Sequence, residues 1–85
     1  MKSYAVVFSY SFDEDVAVYL FDSADDAKKY LRESLLEEYR IDTEENGWDS
    51  SYFISESGLY GRIENRFKDQ TDITEFQVGF VYHNI

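Results

Sequence analysis

The chain of 85 residues has no cysteine and no proline, and it contains one histidine, one methionine and one tryptophan. The absence of cysteine excludes disulfide bonds, thiol nucleophiles and cysteine ligands for zinc, and it fits a reducing cytoplasm. A glycine-rich phosphate loop is absent too, and His83, the single histidine, is expected at a fraying strand end. We therefore predict that the protein is not an enzyme and binds no cofactor or metal ion.

Basic residues are scarce, because eight lysines and arginines stand against 18 aspartates and glutamates, which gives a net charge of −10. Binding to phosphate groups needs lysine and arginine, so direct contact with nucleic acid or with an anionic membrane is disfavoured. A basic protein would instead be attracted. The charge is regional, since residues 13–49 carry a net charge of −9 and residues 50–85 only −2.

Long hydrophobic runs are also missing. No stretch approaches the roughly 20 apolar residues of a membrane span, and the N-terminus lacks the pattern of a signal peptide. Aromatic residues, in contrast, make up 19% of the chain, whereas disordered acidic chains are poor in them. Because large rings bury enough surface to fold a small chain, we predict one domain over residues 1–85, soluble and cytoplasmic.

The first 21 residues predict a β-hairpin. Large apolar residues alternate with a period of two, as expected of a strand, at Tyr4, Val6, Phe8, Tyr10 and Phe12. Asp13, Glu14 and Asp15 interrupt this pattern and are expected to form the turn. The following segment, VAVYLF, is apolar on both faces. Such a pattern favours a central strand that is buried on both sides.

A helix is predicted next, over residues 24–41. Ser23 is a good N-cap, and two aspartates follow at the positive end of the helix dipole. Leu36 falls off the apolar stripe and is expected to be exposed. The stripe itself, at helical spacing, consists of Ala24, Ala27, Tyr30, Leu31, Leu35 and Tyr39.

Three further strands are predicted at about 51–55, 59–67 and 73–82, with Gly58 in a turn and Gly61 at a bulge or a close packing contact. The order is therefore ββαβββ. Because the connections have the length of hairpins, we predict an α+β fold with a mostly antiparallel sheet of four or five strands and one helix on one face. One helix covers only part of such a sheet, so some aromatic side chains are expected to be exposed or covered by a partner.

Two segments resemble known binding motifs only in part. Residues 42–53, DTEENGWDSSYF, match a calcium-binding EF-hand loop at the first positions, but Phe53 stands where the bidentate glutamate is needed. We expect instead a helix exit in which Asn46-Gly47 supplies residues that tolerate positive φ angles and Trp48 folds back onto the core. A weak cation site over residues 42–49 stays as an alternative. Residues 57–67, SGLYGRIENRF, have the wrong spacing and charge for an RNA-recognition strand.

In size, charge, lack of cysteine and compact α+β composition the chain resembles the small acidic inhibitors that phages and mobile elements direct against nucleic-acid enzymes, the anti-CRISPR and anti-restriction proteins. The resemblance rests on no sequence motif. It implies a DNA mimic that blocks the basic nucleic-acid-binding surface of a CRISPR nuclease, a restriction nuclease or a similar enzyme. Acids four apart on a helix rise by about 6 Å, a spacing comparable to that of neighbouring phosphates.

The alternative is a small homodimeric interaction module, housekeeping or antitoxin-like, whose acidity serves solubility. Under the inhibitor hypothesis, the contact surface lies in the region of net charge −9, with nearby aromatic residues as anchors. The predicted partner-binding residues are Asp13, Glu14, Asp15, Glu33, Glu37, Asp42, Glu44, Glu45, Trp48, Asp49 and Tyr52.

Overall fold

A computed structural model of the protein describes residues 2–82. One α-helix packs on one face of a five-stranded antiparallel sheet with the spatial order β2-β1-β5-β4-β3, so the predicted α+β fold and its element order ββαβββ are confirmed. The elements are β1 (Lys2–Tyr10), β2 (Asp13–Phe21), α1 (Ala24–Arg40), β3 (Asp49–Ile54), β4 (Tyr60–Arg66) and β5 (Thr71–Tyr82).

The β1–β2 hairpin turns two residues earlier than the sequence predicted. Ser11 and Phe12 form the turn, and the three acids begin β2 instead. A register shift at Ser9 and Tyr10 accommodates this start of the strand. The hairpin end is tied to β5, because the backbone N–H of Ser11 donates to the carbonyl oxygen of Ile73 at 2.8 Å.

The prediction that β2 is a central strand was wrong. β2 lies at the edge of the sheet, and β5 is the central strand, paired with β1 on one side and with β4 on the other. On the face without a helix, Val16, Val18 and Leu20 keep more than half of their surface exposed. The pattern of two apolar faces therefore marks an exposed edge in this protein.

Helix α1 begins and packs as its sequence indicates. The Ser23 hydroxyl accepts a hydrogen bond from the backbone N–H of Asp26 at 3.1 Å, which caps the helix. Ala27, Leu31 and Leu35 are completely buried. They form one cluster with Val6, Ile63 and Phe76 of the three middle strands. Leu36 was expected to be exposed but is half-buried against this cluster.

Gly61 in β4 lets the helix approach the sheet closely. A Cβ atom at this position would lie 2.4 Å from Cδ1 of Leu35 and 3.2 Å from Cδ2 of Leu31. The expected close contact is confirmed here. Gly58 has a φ angle of +76° in the turn before β4, as the sequence also indicated.

The helix exit contains an element that the sequence did not reveal. After Arg40 the backbone widens into a π-helical turn, Ile41–Glu45, and Gly47 then adopts a φ angle of +68°. Trp48 does not enter the core; it stays 41% exposed and packs edge-on against Phe67, with ring centroids 5.2 Å apart. Among residues 2–82, no helix has the length and apolar character that crossing a membrane would need.

Candidate functional site

The buried stripe of α1 continues into two carboxylates. Leu31, Leu35, Glu38 and Asp42 are spaced by four, three and four residues, which keeps them on one side of a helix. The two leucines are buried in the core. Glu38 and Asp42 thus occupy the positions where the next apolar residues of the stripe would be expected. The environments of the two carboxylates differ.

Asp42 is a structural residue. It is 3% exposed, and its Oδ2 accepts a hydrogen bond from Nδ2 of Asn65 at 3.1 Å. The Asn65 side chain in turn accepts from the hydroxyl of Ser50, and the Asp42 carbonyl accepts from the backbone N–H of Trp48 at 2.9 Å. This network joins the helix exit to β3 and β4. Its burial removes Asp42 from the carboxylates that a partner could touch.

Glu38 lies at the mouth of a cleft between α1 and the hairpin end of the sheet. Partial burial raises the pKa of the Glu38 carboxyl, and the negative charges of Asp42 and Glu37 raise this pKa further. We name the recess the hairpin cleft; its volume is about 250 Å³. The lining residues are Phe8, Tyr10, Ser34, Glu37, Glu38, Thr74 and Phe76.

Tyr10 connects the helix acids with the hairpin acids. Tyr10 lines the cleft together with Glu38; burial raises the pKa of its phenol, and the charges of Glu38, Tyr19 and Asp13 raise it further. Asp13 is the cross-strand partner of Tyr10 in the hairpin. Within the described chain, no ion pair involves Asp13, Glu14 or Asp15.

Arg40 is the one base between residues 34 and 49, and it gathers the remaining acids of the helix end. Its Nη2 donates to Oε1 of Glu37 at 2.6 Å while its Nε donates to Oε2 at 3.1 Å. This bidentate hydrogen bond lowers the pKa of the Glu37 carboxyl. Glu44 and Glu45 lie 3.4 and 3.3 Å from the same guanidinium. One positive charge therefore faces three negative ones, which leaves a surplus.

Four of the predicted partner-binding residues lie away from the hairpin cleft. The Glu33 carboxylate is 3.9 Å from Nζ of Lys29, and Asp49 accepts two hydrogen bonds from Arg66 at 3.1 and 3.2 Å. Trp48 packs on Phe67, and Tyr52 packs edge-on against Tyr39 at 4.8 Å. Of the eleven predicted residues, Glu37 lines the hairpin cleft, and Asp13 is the cross-strand partner of the lining residue Tyr10.

The cleft residues missed by sequence reasoning had a signal in the chain. Glu38 is seven residues after Leu31 and three after Leu35, so helical spacing already placed it beside the core. Tyr10 continues the alternation of Tyr4 and Phe8 on the helix side of β1. Thr74 and Phe76 carried no such signal, because their approach to the cleft depends on the pairing of β1 with β5.

The calcium-loop segment has a different geometry from the one an EF-hand needs. Residues 41–45 form the π-helical turn, the Asp42 carboxylate is engaged by Asn65, and Phe53 lies in β3. In the part of the chain from Lys2 to Tyr82, no three acidic or histidine side chains converge as a metal site would require. The absence of calcium binding stays a prediction. His83 lies outside the described residues.

Comparison with family models, with curated proteins and with solved structures finds no match for this chain.

Proposed function

We propose that the protein is a non-catalytic binding protein that uses the hairpin cleft and its acidic rim to hold a basic surface of another protein. One observation carries the proposal. An aromatic-lined recess opens where the surplus negative charge of the chain is concentrated, with seven exposed carboxylates in the surrounding segments against the guanidinium of Arg40. The seven carboxylates belong to Asp13, Glu14, Asp15, Glu37, Glu38, Glu44 and Glu45.

The chemistry of the cleft fits an arginine or lysine side chain of the partner. The rings of Phe8, Tyr10 and Phe76 line an apolar space for the methylene stem. Glu37 and Glu38 line the same cleft and offer charge at its rim. A guanidinium stacked on aromatic faces and paired with a carboxylate gains from both contacts.

A cation would also relieve a repulsion that the free protein contains. Glu38 is partly desolvated and lies beside Glu37 and the buried Asp42. An incoming positive charge replaces like-charge repulsion with attraction, so the site favours a base over a neutral side chain of the same size.

The partner class that fits best is an enzyme with a basic nucleic-acid groove. Such grooves present closely spaced lysines and arginines, and a folded acidic domain occupies them in competition with phosphates. The proposed activity is therefore stoichiometric inhibition of a CRISPR nuclease, a restriction nuclease or a similar enzyme. Long-range attraction would speed the encounter, while the cleft would hold one basic side chain in place.

The site can be tested with a nona-arginine peptide and the ¹⁵N-labelled protein. We expect the largest amide shifts at Tyr10, at residues 34–38 and at Thr74. Affinity should fall as salt rises, because the Debye length shrinks from about 10 Å at 0.1 M to about 3 Å at 1 M. Shifts spread evenly over all exposed acids would contradict a defined site.

A matched pair of variants separates the cleft from general attraction. Glu37→Gln with Glu38→Gln should weaken peptide binding about tenfold, or ~1.4 kcal/mol. Glu56→Gln with Asp69→Asn removes the same charge from exposed loops and should change the affinity less than about twofold. Equal losses of peptide affinity in both variants would mean that binding depends only on the net charge of the protein.

The inhibitor function needs a separate assay. Equimolar protein should slow DNA cleavage by a guide-loaded CRISPR nuclease or by a restriction endonuclease, and the Glu37→Gln, Glu38→Gln variant should not. If peptide binding is confirmed but no nuclease of either class is slowed, the binding site stands and the inhibitor function is wrong.

A further inference from the structure

The edge strand β2 carries features that keep sheet edges from pairing with other chains only at its hairpin end. Natural edge strands are guarded by charged side chains, proline, a bulge or short length, and the three acids and the register shift of β2 lie next to the turn. β2 has nine residues, none of them basic, and the chain contains no proline. The register shift of the hairpin lies next to the turn, outside the uncharged stretch from Val16 to Phe21. In the described part of the chain, no strand pairs with the outer side of β2.

The opposite edge, β3, is guarded. It has six residues and begins with the polar sequence Asp49, Ser50, Ser51. Arg66 of the neighbouring strand donates to both Asp49 and Ser51. Of the two edges of this sheet, β2 therefore has the longer uncharged stretch, from Val16 to Phe21.

We propose that a second copy of the chain covers this edge, by antiparallel pairing of β2 with β2 of the partner copy about a two-fold axis at Val18. A two-fold axis that joins two antiparallel edge strands stands perpendicular to the sheet, so opposed residues lie on the same face. The result is a ten-stranded sheet with both helices on one side.

This register makes the edge self-complementary. On the open face Val18 meets Val18 of the second copy, and Val16 meets Leu20, so that aliphatic side chains lie opposite each other. On the helix side Ala17 meets Tyr19, a small residue opposite a large one. Aliphatic rows of this kind shield each other from water along the new junction.

The distribution of charge selects antiparallel self-pairing over other arrangements. In the overlap from Asp15 to Phe21 the only charge is Asp15, and it lies opposite Phe21 of the other copy. Asp13 and Glu14 of the two copies are held at opposite ends of the junction. Parallel pairing would align the acids side by side, and a basic foreign strand would find no counter-charge along the uncharged stretch.

The proposal predicts that dimerisation depends on salt in the opposite direction to peptide binding at the hairpin cleft. Two copies with a net charge of −10 each repel one another, so dimerisation should strengthen as salt screens the repulsion. Because peptide binding at the cleft weakens with salt, the two interactions can succeed or fail separately. A dimer would carry its two clefts on the same face.

Sedimentation equilibrium of the full chain over a range of concentrations and salt tests the pairing. We expect a monomer–dimer equilibrium whose dissociation constant decreases at least about threefold between 0.1 and about 1 M salt. Val18→Lys should weaken dimerisation at least tenfold. Phe53→Lys adds the same charge to the same face at the other edge, at a residue of similar exposure, and should leave the dissociation constant within about twofold.

Hydrogen exchange provides a second readout that does not depend on a variant. Amide protection of residues 15–21 should rise with protein concentration, while that of β3 should not. A wild-type protein that stays monomeric at every concentration and salt, or equal loss of dimer in Val18→Lys and Phe53→Lys, would overturn the proposal. Circular dichroism of both variants verifies that they fold.

Discussion

The two halves of the sheet are built on different principles. In the half formed by β3 and β4, charged and polar side chains are paired with one another: Arg66 with Asp49, Arg62 with Glu64, and Asn65 with the buried Asp42. In the half formed by β1 and β2, the acids make no ion pair within residues 2–82, and Val16, Val18 and Leu20 are exposed. One half pairs its charged groups, and the other leaves charge and apolar surface exposed.

The position of the helix explains this division. Gly61 allows Leu31 and Leu35 to sit deep over β4, so the helix packs tightly on that side. Toward the hairpin the large rings of Phe8, Phe76 and Tyr10 hold the surfaces apart and leave the hairpin cleft. We infer that folding stability is concentrated where helix and β4 meet.

The largest predicted effect tests the tightly packed half. Leu31→Ala should lower the free energy of unfolding by about 2–5 kcal/mol, because a completely buried leucine leaves a cavity when truncated. Leu36→Ala, at a half-buried position of the same helix, should cost clearly less. Urea unfolding of both variants measures the difference, and similar losses would show that the helix is not anchored through Leu31.

The second effect concerns the buried polar network. Asn65→Ala removes the side-chain donor to the Asp42 carboxylate and should destabilise the fold by about 1.5–3 kcal/mol, the range for hydrogen bonds to charged groups. Gln70→Ala removes an exposed donor to Asp72 and should have little effect. Thermal unfolding of the two variants compares them, and equal melting temperatures would mean that water replaces Asn65 without cost.

Much of this fold could be predicted from local patterns. Ser23 and the stripe through Leu31 and Leu35 located the helix to within a residue, and apolar patterns between turn residues located the five strands. The position of β2 could not be predicted in this way. An apolar pattern on both faces is compatible with a buried central strand or with an exposed edge strand. Which of the two β2 becomes depends on β5, which pairs with β1 although it lies more than 60 residues further along the chain.

The candidate site was predictable only in part. Charge counting indicated the acidic region, and one of its residues, Glu37, lines the hairpin cleft. It also included Asp42, whose burial depends on Asn65, a residue 23 positions further along the chain. The cleft itself arises from the distance between helix and hairpin, which no local pattern encodes. Local periodicity therefore predicts elements better than it predicts the spaces between them.

A smaller effect compares two glycines on adjacent strands. Gly61→Ala should destabilise the protein by about 1 kcal/mol, at the lower end of the usual overpacking range, because the clashing Leu35 methyl can rotate away. Gly79→Ala places a methyl group in open space on the other face and should be nearly neutral. Chemical denaturation distinguishes them. Equal effects would contradict the close helix approach at β4.

The smallest predicted effect depends on pH and concerns two neighbouring glutamates. Burial raises the pKa of Glu38, so its ionised form destabilises the folded state, whereas the Arg40 hydrogen bond lowers the pKa of Glu37 and stabilises the folded state. Glu38→Gln should therefore raise the melting temperature at neutral pH, and Glu37→Gln should lower it.

The two effects should disappear over different ranges of pH. The gain in Glu38→Gln shrinks as the pH falls through the raised folded-state pKa and is gone below the unfolded value of about 4.3. The loss in Glu37→Gln persists down to about 4.3 and vanishes only as the pH falls through the lowered pKa of the folded state. Melting curves of parent and variants from about pH 3 to pH 8 measure both. If Glu38→Gln destabilises the protein at neutral pH, ionised Glu38 stabilises the folded state. The hairpin cleft would then contain no electrostatically unfavourable carboxylate that a bound cation could stabilise.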